Sequence, residues 1–297
     1  MFQSFEPPAG GTASGERIAA LRSWMERHRL DGVLVPRADA HQGEMVPPSE
    51  ERLAWLTGFT GSAGLAIVLA HEAALFVDGR YTLQAAAQTD PEAVTVVPSR
   101  ETRPADWLGE RVSAGQRVGY DPWLFGRAEI ERFAAATDAA GADLVPVGEN
   151  PVDALWTDRP APPMGAVEVH PERLAGESAA DKRARLAQGL REDGVAAAVL
   201  TLPDSIAWLL NIRGADLSHV PVALGFAILH ADARVALFMA PDKISGAVAE
   251  HLGEAVTIEP PDAFGPALDA LAGGRERLDE QTCPLWVSMR LETAGAE

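Results

Sequence analysis

An internal repeat constrains the fold of this chain more than any other feature of its sequence. Asp31-Gly32-Val33 recurs as Asp193-Gly194-Val195, and Leu75-Phe76-Val77 recurs as Leu237-Phe238-Met239, with an offset of 162 in both cases (193 − 31 and 237 − 75). Between these anchors, Ala54-Trp55-Leu56 recurs as Ala207-Trp208-Leu209, with an offset of 153 (207 − 54). Because three anchors keep their order, the sequence predicts two consecutive domains of one fold.

Strand-like and helix-like patterns alternate within each copy. The pattern predicts an α/β fold in which each domain is a mixed β-sheet flanked by helices. We place the first domain at residues 1–150, a proline-rich linker at 151–163 and the second domain at 164–297. The second copy stops before an equivalent of the strand predicted at 144–147, so we expect it to be truncated at its end.

Composition excludes several classes of function. The formal net charge is −18 and the isoelectric point is near 4.8, which disfavours nucleic-acid binding because that needs a basic surface. Cys283 is the single cysteine, so internal disulfides and cysteine-based zinc sites are excluded. No apolar run approaches the length of a membrane span, and no signal peptide is visible. These features predict a cytoplasmic protein with neither nucleic-acid nor membrane partners.

The loop after the first strand concentrates ionisable side chains. Asp39, His41 and Glu44 lie within six residues, and the second copy lacks the segment His41–Pro48. Such groups suit metal coordination or general acid–base catalysis. They equally suit a loop whose side chains bond its own backbone, or a contact with substrate or another subunit. The sequence alone leaves these alternatives open.

A glycine-rich turn and an arginine follow this loop. Gly58-Phe-Thr-Gly-Ser-Ala-Gly64 has neither the lysine of a phosphate-binding loop nor the strand-to-helix turn of a nucleophile elbow around Ser62, so we interpret its glycines as turn-forming. Arg80 looks buried in the pattern and lies at a strand end, where it could clamp a carboxylate or pair with Asp78.

Other candidates are weaker. Ser49 is a predicted helix N-cap. Trp55, Trp156 and Trp208 are predicted in the core or at interfaces, and Asp216 and His219 near Arg213 form a minor polar group. The residues alone supply no complete catalytic set, so no catalytic or metal-ligating residue is assigned.

Several stretches together resemble one family over residues 18–291. These are DAHQGEMVPPSEERLAWLTGFTGSAG, FVDGRYTLQAA, NPVDALWTDRP and SIAWLLNIRGAD. They resemble the amino-terminal half of the long, three-domain Xaa-Pro aminopeptidases (aminopeptidase P), relatives of creatinase and prolidase.

The resemblance implies two tandem creatinase-amino-terminal-like domains. In the family these precede a carboxy-terminal pita-bread domain, which holds two divalent ions, usually manganese, and cleaves the bond between an N-terminal residue and a following proline. We expect that catalytic domain to be absent from this sequence and the segment alone to be inactive. By resemblance, His41, Asp39 and Arg80 are expected to face the substrate cleft or a neighbouring subunit, and the full-length protein is expected to form homodimers.

Two other hypotheses remain. The chain is alternatively a free-standing, non-catalytic module of the same fold that binds peptides or proteins. A hydrolase that uses Ser62 as its nucleophile is the remaining alternative.

Overall fold

The computed structural model describes residues 11–296, which divide into two compact units. The first unit comprises residues 11–38 and 48–161, and the second comprises residues 39–47 and 162–296. The second unit therefore includes a short loop from the N-terminal half of the chain in addition to the C-terminal half.

The first unit alternates helices and strands as its pattern predicts. Its elements are α1 (Gly11–His28), β1 (Gly32–Pro36), α2 (Arg52–Thr57), β2 (Gly64–Leu69), β3 (Ala73–Val77), α3 (Thr82–Gln88), β4 (Thr95–Pro98), α4 (Pro104–Gly109), β5 (Arg117–Tyr120), α5 (Arg127–Ala140), β6 (Asp143–Pro146) and α6 (Pro151–Leu155).

The six strands form one mixed sheet with the order β4-β3-β2-β1-β5-β6. Strand β2 runs antiparallel to both β1 and β3, whereas the outer pairs β3–β4, β1–β5 and β5–β6 are parallel. Parallel outer strands require helical crossovers, and these crossovers cover the sheet.

Both faces of this sheet are buried. Successive side chains of a strand point to opposite faces. Val68 and Leu75 join Ile18 of α1 in a hydrophobic cluster on one face. Phe76, next to Leu75 in the chain, meets Trp107 of α4 edge to face, with ring centroids 5.7 Å apart. The near-continuous apolar sequence of β1, β2 and β3 follows from this two-sided burial.

The predicted N-cap at Ser49 is wrong. Ser49 is buried in a 3₁₀ turn over Pro48–Glu50, and α2 begins only at Arg52. Glu51 occupies the cap position without a capping hydrogen bond, because its carboxylate pairs instead with Arg37 at 3.1 Å.

The segment predicted as a proline-rich linker begins with a helix of the first unit. Asn150 caps α6 through its side-chain oxygen, which accepts from the backbone N–H groups of Val152 (2.9 Å) and Asp153 (3.3 Å). Val152 is fully buried, and Asp153 forms a bidentate ion pair with Arg52 of α2 at 2.6 and 2.8 Å. These contacts fix α6 against α1 and α2.

The second unit contains β7 to β13 and α7 to α12. The elements are β7 (Glu168–Val169), α7 (Glu172–Ala175), α8 (Ala179–Glu192), β8 (Ala197–Leu200), α9 (Pro203–Leu210), β9 (Ile212–Arg213), β10 (Phe226–His230), β11 (Val235–Phe238), α10 (Gly246–Leu252), β12 (Val256–Glu259), α11 (Phe264–Asp269), β13 (Glu276–Arg277) and α12 (Leu285–Ala294). Strands β7 and β9 form a separate two-stranded sheet.

The main sheet of the second unit repeats the first. Its order is β12-β11-β10-β8-β13, with β10 antiparallel to β8 and β11 and with parallel outer pairs. These strands match β4-β3-β2-β1-β5 in order and direction. The described part of the second unit contains no counterpart of β6. The two sheets confirm the predicted pair of α/β domains with mixed sheets.

The offset that the sequence predicts for the Asp-Gly-Val triplets is wrong by three residues. Val68 pairs with both Ala73 and Val33 in the first sheet, and Leu229 pairs with both Val235 and Ala198 in the second. Ala73 and Val235 keep the offset of 162, but Val33 corresponds to Ala198, an offset of 165 (198 − 33).

The reason lies at the preceding helix end. A residue with positive φ ends each helix, Arg29 (φ 57°) after α1 and Gly194 (φ 67°) after α8. These two residues are also 165 apart (194 − 29). Asp193-Gly194-Val195 therefore ends before β8 begins at Ala197, whereas Gly32 and Val33 are the first two residues of β1. The likeness of the two triplets is coincidental.

The tryptophan anchors are equivalent in their contacts. Arg17 of α1 donates to the carbonyl of Trp55, and its guanidinium lies 4.8 Å from the indole centroid. Lys182 of α8 donates to the carbonyl of Trp208 at 2.9 Å, and its ammonium lies 4.4 Å from that indole. Lys182 follows Arg17 by the corrected offset of 165 (182 − 17). A cation beneath the tryptophan is thus a shared feature of both units.

Glu276 occupies a core position of the repeated fold. It pairs with Ala197 in the second sheet as Val118 pairs with Gly32 in the first. Val118 is fully buried. Both carboxylate oxygens of Glu276 are buried without a hydrogen-bond partner among the described residues, and burial raises the pKa of this carboxyl. Folding therefore favours its protonated form.

We predict that Glu276→Gln and Glu276→Val stabilise the chain at neutral pH by about 1 kcal/mol, because each removes an uncompensated buried charge. Since the folded pKa is raised, the wild-type penalty is absent below the unfolded pKa and develops as pH rises through the folded pKa. Urea unfolding between pH 4 and 8 measures this difference. Glu280→Gln, at an exposed position, is the matched control. A gain that does not change with pH contradicts the assignment.

Candidate functional site

The loop over residues 39–47 is folded by its own hydrogen bonds. The carboxylate of Asp39 accepts from the backbone N–H of His41 at 2.9 Å, and the Asp39 carbonyl accepts from the side-chain amide of Gln42 at 3.1 Å. Gln42 adopts a positive φ of 55°, which turns the chain sharply. Asp39 is 1% exposed. This is the self-bonded loop that the sequence allows as one alternative.

His41 is held by an aromatic stack and a carbonyl group. Its Nδ1 lies 3.1 Å from the carbonyl oxygen of Thr201, so Nδ1 carries the hydrogen of this bond. Its ring stacks on Phe226 with centroids 4.6 Å apart, and Phe226 stacks on Phe264 at 4.5 Å. His41 is 9% exposed. The loop is therefore pinned to the second unit through this side chain.

A pocket opens beside the loop, within the second unit. Its volume is about 270 Å³. The walls are mostly apolar, the ionisable groups among the lining residues are three carboxylates and one imidazole, and none of these residues is lysine or arginine. The lining residues are Asp39, His41, Gln42, Gly43, Glu44, Met45, Leu202, Pro203, Asp204, Leu217, Val220, Val222 and Leu224. Such a pocket suits a small apolar group that carries, or lies next to, a positive charge.

A buried ion pair supports the pocket wall. Asp216 and Lys243 pair at 2.6 Å, with side chains 0% and 5% exposed. Asp216 also accepts from the backbone N–H groups of Gly165 (2.8 Å) and Leu224 (2.6 Å). Asp216 thus fixes both ends of the wall segment 217–224. The sequence singles out Asp216 with His219 and Arg213, but its partner is Lys243, which no local pattern reveals.

Arg80 belongs to the first unit and is exposed. Its side chain is 63% exposed, so its buried appearance in the sequence is misleading. Its guanidinium forms a two-pronged ion pair with Asp78, at 3.0 Å from Nε and 2.6 Å from Nη2 to Oδ2. The hydrogen bond from Arg80 lowers the pKa of the Asp78 carboxyl. Of the two sequence hypotheses for Arg80, the structure contains the pairing with Asp78.

The glycine-rich turn owes its glycines to close packing as well as to turn geometry. Gly58 ends α2 with φ 82°. A Cβ on Gly61 would lie 2.2 Å from the Phe59 ring and 2.9 Å from the ring of Tyr81. Ser62 shares a 2.7 Å hydrogen bond with the Tyr81 hydroxyl, which lowers the pKa of that phenol. The geometry at Ser62 therefore gives no support to a nucleophile.

The structure brings Asp39 and His41 together and places Arg80 in the other unit. In residues 11–296, no cluster of three or more His, Cys, Asp or Glu side chains is arranged to hold a metal ion. The metal ions of the resembled family therefore find no matching ligand set in this part of the chain. None of the described helices has the length and apolar character of a membrane span.

We predict that Asp216→Asn destabilises the chain by about 3 kcal/mol or more, because it leaves the ammonium of Lys243 buried without a counter-charge. Chemical denaturation measures the loss. Asp232→Asn removes the partner of the exposed Arg234 and should cost less than about 1 kcal/mol. Adding Lys243→Met to Asp216→Asn should recover much of the stability. Equal losses for the buried and exposed pairs would contradict this role.

Comparison with known proteins finds similarity over most of the chain. Two family models match it, both described as Creatinase/Prolidase N-terminal domain, over residues 17–155 and 158–297. A probable Xaa-Pro aminopeptidase P of Coccidioides posadasii is 38% identical over 276 residues, which are 92% of this chain and 42% of that protein. Its counterpart in Neosartorya fischeri is 37% identical over 265 residues, covering 88% of this chain and 40% of that protein.

A solved structure is similar over most of the chain. The X-prolyl aminopeptidase of Caenorhabditis elegans, described as a cytosolic enzyme with a di-nuclear active site, matches with a TM-score of 0.82 and 29% identity. The match covers 87% of this chain and 44% of that one. The chain thus spans less than half the length of these relatives. The resemblance predicted from the sequence motifs is confirmed, and the chain belongs to the creatinase/prolidase N-terminal domain family, of which it carries two consecutive copies.

Proposed function

We propose that this chain serves as the amino-terminal part of a metal-dependent Xaa-Pro aminopeptidase, which releases the N-terminal residue that precedes proline in a peptide. The supporting observation is that the likeness to Xaa-Pro aminopeptidase P runs through both units, at 38% identity over 276 residues. In this proposal, groups outside residues 11–296 bind two divalent ions, manganese by preference, and cleave the peptide bond. The enzyme works in the cytoplasm as a homodimer.

The two units would contribute walls and contacts to that enzyme. The loop around Asp39 and His41, folded by its own hydrogen bonds and stacked on Phe226, is suited to limit the space available to a peptide. Arg80, exposed beside Asp78, offers a guanidinium that can exchange this partner for a substrate carboxylate or a neighbouring subunit. In this proposal Asp39, His41 and Arg80 take no part in bond cleavage.

The pocket of the second unit favours a second candidate function. Its lining is mostly apolar and includes three carboxylates, those of Asp39, Glu44 and Asp204. A free-standing module with this pocket would bind the N-terminal residue of a peptide, the apolar side chain inside and the ammonium group near Asp39, Glu44 or Asp204. Such binding would need no metal ion and no further domain.

The reading frame beyond the Glu297 codon separates these functions. The enzyme proposal expects the frame to continue into a region that carries a di-metal ligand set. The chain of residues 1–297 by itself, supplied with Mn²⁺ and an Xaa-Pro tripeptide, should release no free amino acid. Robust cleavage by this chain would overturn the proposal that it is an auxiliary part. A stop codon directly after Glu297 would favour the binding module.

We predict that Arg80→Ala, made in the protein encoded by the complete reading frame, lowers kcat/KM for Xaa-Pro peptides by about tenfold or more. Hydrogen bonds to charged groups contribute about 1.5–3 kcal/mol, which corresponds to at least a tenfold change. The metal content should stay unchanged. Arg103→Ala, which removes another exposed arginine paired with an aspartate, is the matched control and should retain activity. Equal activity of both variants would exclude a cleft role for Arg80.

A further inference from the structure

One surface of the second unit is open where its counterpart in the first unit is covered. We define the α8–α9 surface by Leu186 of α8, which is 36% exposed, and Trp208 of α9, which is 45% exposed. By the corrected register Leu186 corresponds to Leu21 (186 − 21 = 165), which is fully buried. Trp208 corresponds to Trp55, which is partly buried against the core of the first unit.

In the first unit, helix α6 covers the surface that corresponds to the α8–α9 surface. It packs against α1 and α2, and Val152 and Leu155 join the same hydrophobic cluster as Leu21. Trp156, directly after α6, stacks on Trp55 with ring centroids 5.8 Å apart. Trp55 therefore contacts both the guanidinium of Arg17 and a second indole. A short helix followed by an aromatic residue is thus the occupant that this fold accepts at this place.

Trp208 contacts a cation as Trp55 does, but within residues 11–296 no second aromatic ring stacks on it. Lys182 lies beneath its indole at 4.4 Å. The exposed indole and leucine form an apolar surface whose counterpart in the first unit is covered by α6, and burying such surface is favourable.

The groups near the Trp208 indole include two cations, Lys182 and Arg185. The guanidinium of Arg185 lies 6.0 Å from the Trp208 centroid, and its side chain is 56% exposed beside its partner Glu177. Arg183, one turn from Ala187 on α8, is 7% exposed, and its Nη1 has no hydrogen-bond partner among residues 11–296. A buried N–H group without an acceptor is costly.

The fold does not require an arginine at position 183. The corrected register places Arg183 where the first unit has Ile18 (183 − 18 = 165), which is 1% exposed in the core. Where the first unit has a core isoleucine, the second unit thus has an arginine whose N–H groups need acceptors. In the first unit, α6 itself carries a carboxylate, Asp153, which pairs with an arginine of α2.

We propose that the α8–α9 surface binds a short helical segment of the α6 type, supplied from outside residues 11–296. This segment carries apolar residues that cover Leu186, an aromatic side chain that stacks on Trp208, and a carboxylate that neutralises the arginines of α8. Its affinity as a free peptide is low, since a helix of one or two turns must be ordered on binding. Linked to the rest of a protein, the same segment binds at a high effective concentration.

The peptide of residues 149–160 of this chain, ENPVDALWTDRP, is a suitable probe because it contains α6 and Trp156. We would titrate it, up to about 5 mM, into the whole chain labelled with ¹⁵N-tryptophan, and identify the Trp208 indole signal by its loss in Trp208→Phe. The Trp208 signal should shift saturably, and that of Trp24, which is buried in the first unit, should not. Replacing the peptide's Trp156 by Ala should weaken binding roughly two- to tenfold.

Protein variants complete the test. Leu186→Ser should weaken binding of the peptide, whereas Leu83→Ser, at a leucine of the first unit that is 87% exposed, should leave it unchanged. The proposal is overturned if the Trp208 signal does not move, or if the peptide without its tryptophan binds equally well. It is also overturned if the Trp208 signal changes on dilution of the chain alone, because a second copy would then cover the surface.

Discussion

The register of the central antiparallel strands determines where every candidate residue of this chain lies. In each unit one strand, β2 or β10, hydrogen-bonds to both neighbours along its length and fixes which residues stand opposite each other. A shift of one residue would turn every buried side chain toward the opposite face. The pairing also fixes the end of β1 from which the loop 39–47 continues and the start of β10, which the pocket segment 217–224 precedes. The same pairing reveals the true offset of the repeat and identifies Arg183 and Glu276 as charges at core positions.

The fold was largely predictable from the sequence, because strand burial and helix amphipathicity are local patterns. The hairpin of β2 and β3 follows directly from its two apolar runs. The errors arise where tertiary contacts override local chemistry. Glu51 takes the cap position expected for Ser49 because Arg37 provides a buried partner. The two Asp-Gly-Val triplets are identical in sequence, but the first overlaps the start of β1 and the second ends before β8 begins. Comparing the sequences alone does not show this difference.

The candidate site was predicted in part. Asp39 and His41 stand together in a folded loop, as their spacing suggests. The cleft-facing roles of Asp39, His41 and Arg80 all stay predictions. The residues that hold the loop and the pocket wall were not visible in the sequence. Phe226 and Thr201 lie far along the chain from His41, and Lys243 lies far from Asp216. Long-range pairs of this kind leave no periodicity, so one sequence does not reveal them. A repeat compared position by position does reveal departures from the shared core.

The membership of the loop 39–47 in the second unit has a consequence for synthesis. Both ends of this loop join strands and turns of the first unit, so the chain passes between the units at residues 38–39, 47–48 and 161–162. During translation His41 emerges long before Phe226, the ring on which it stacks. The loop must therefore wait, tethered at both ends, until the later half has been made. Cutting the gene at the boundary near residue 161 would yield one fragment with an unanchored loop and another with an uncovered aromatic face.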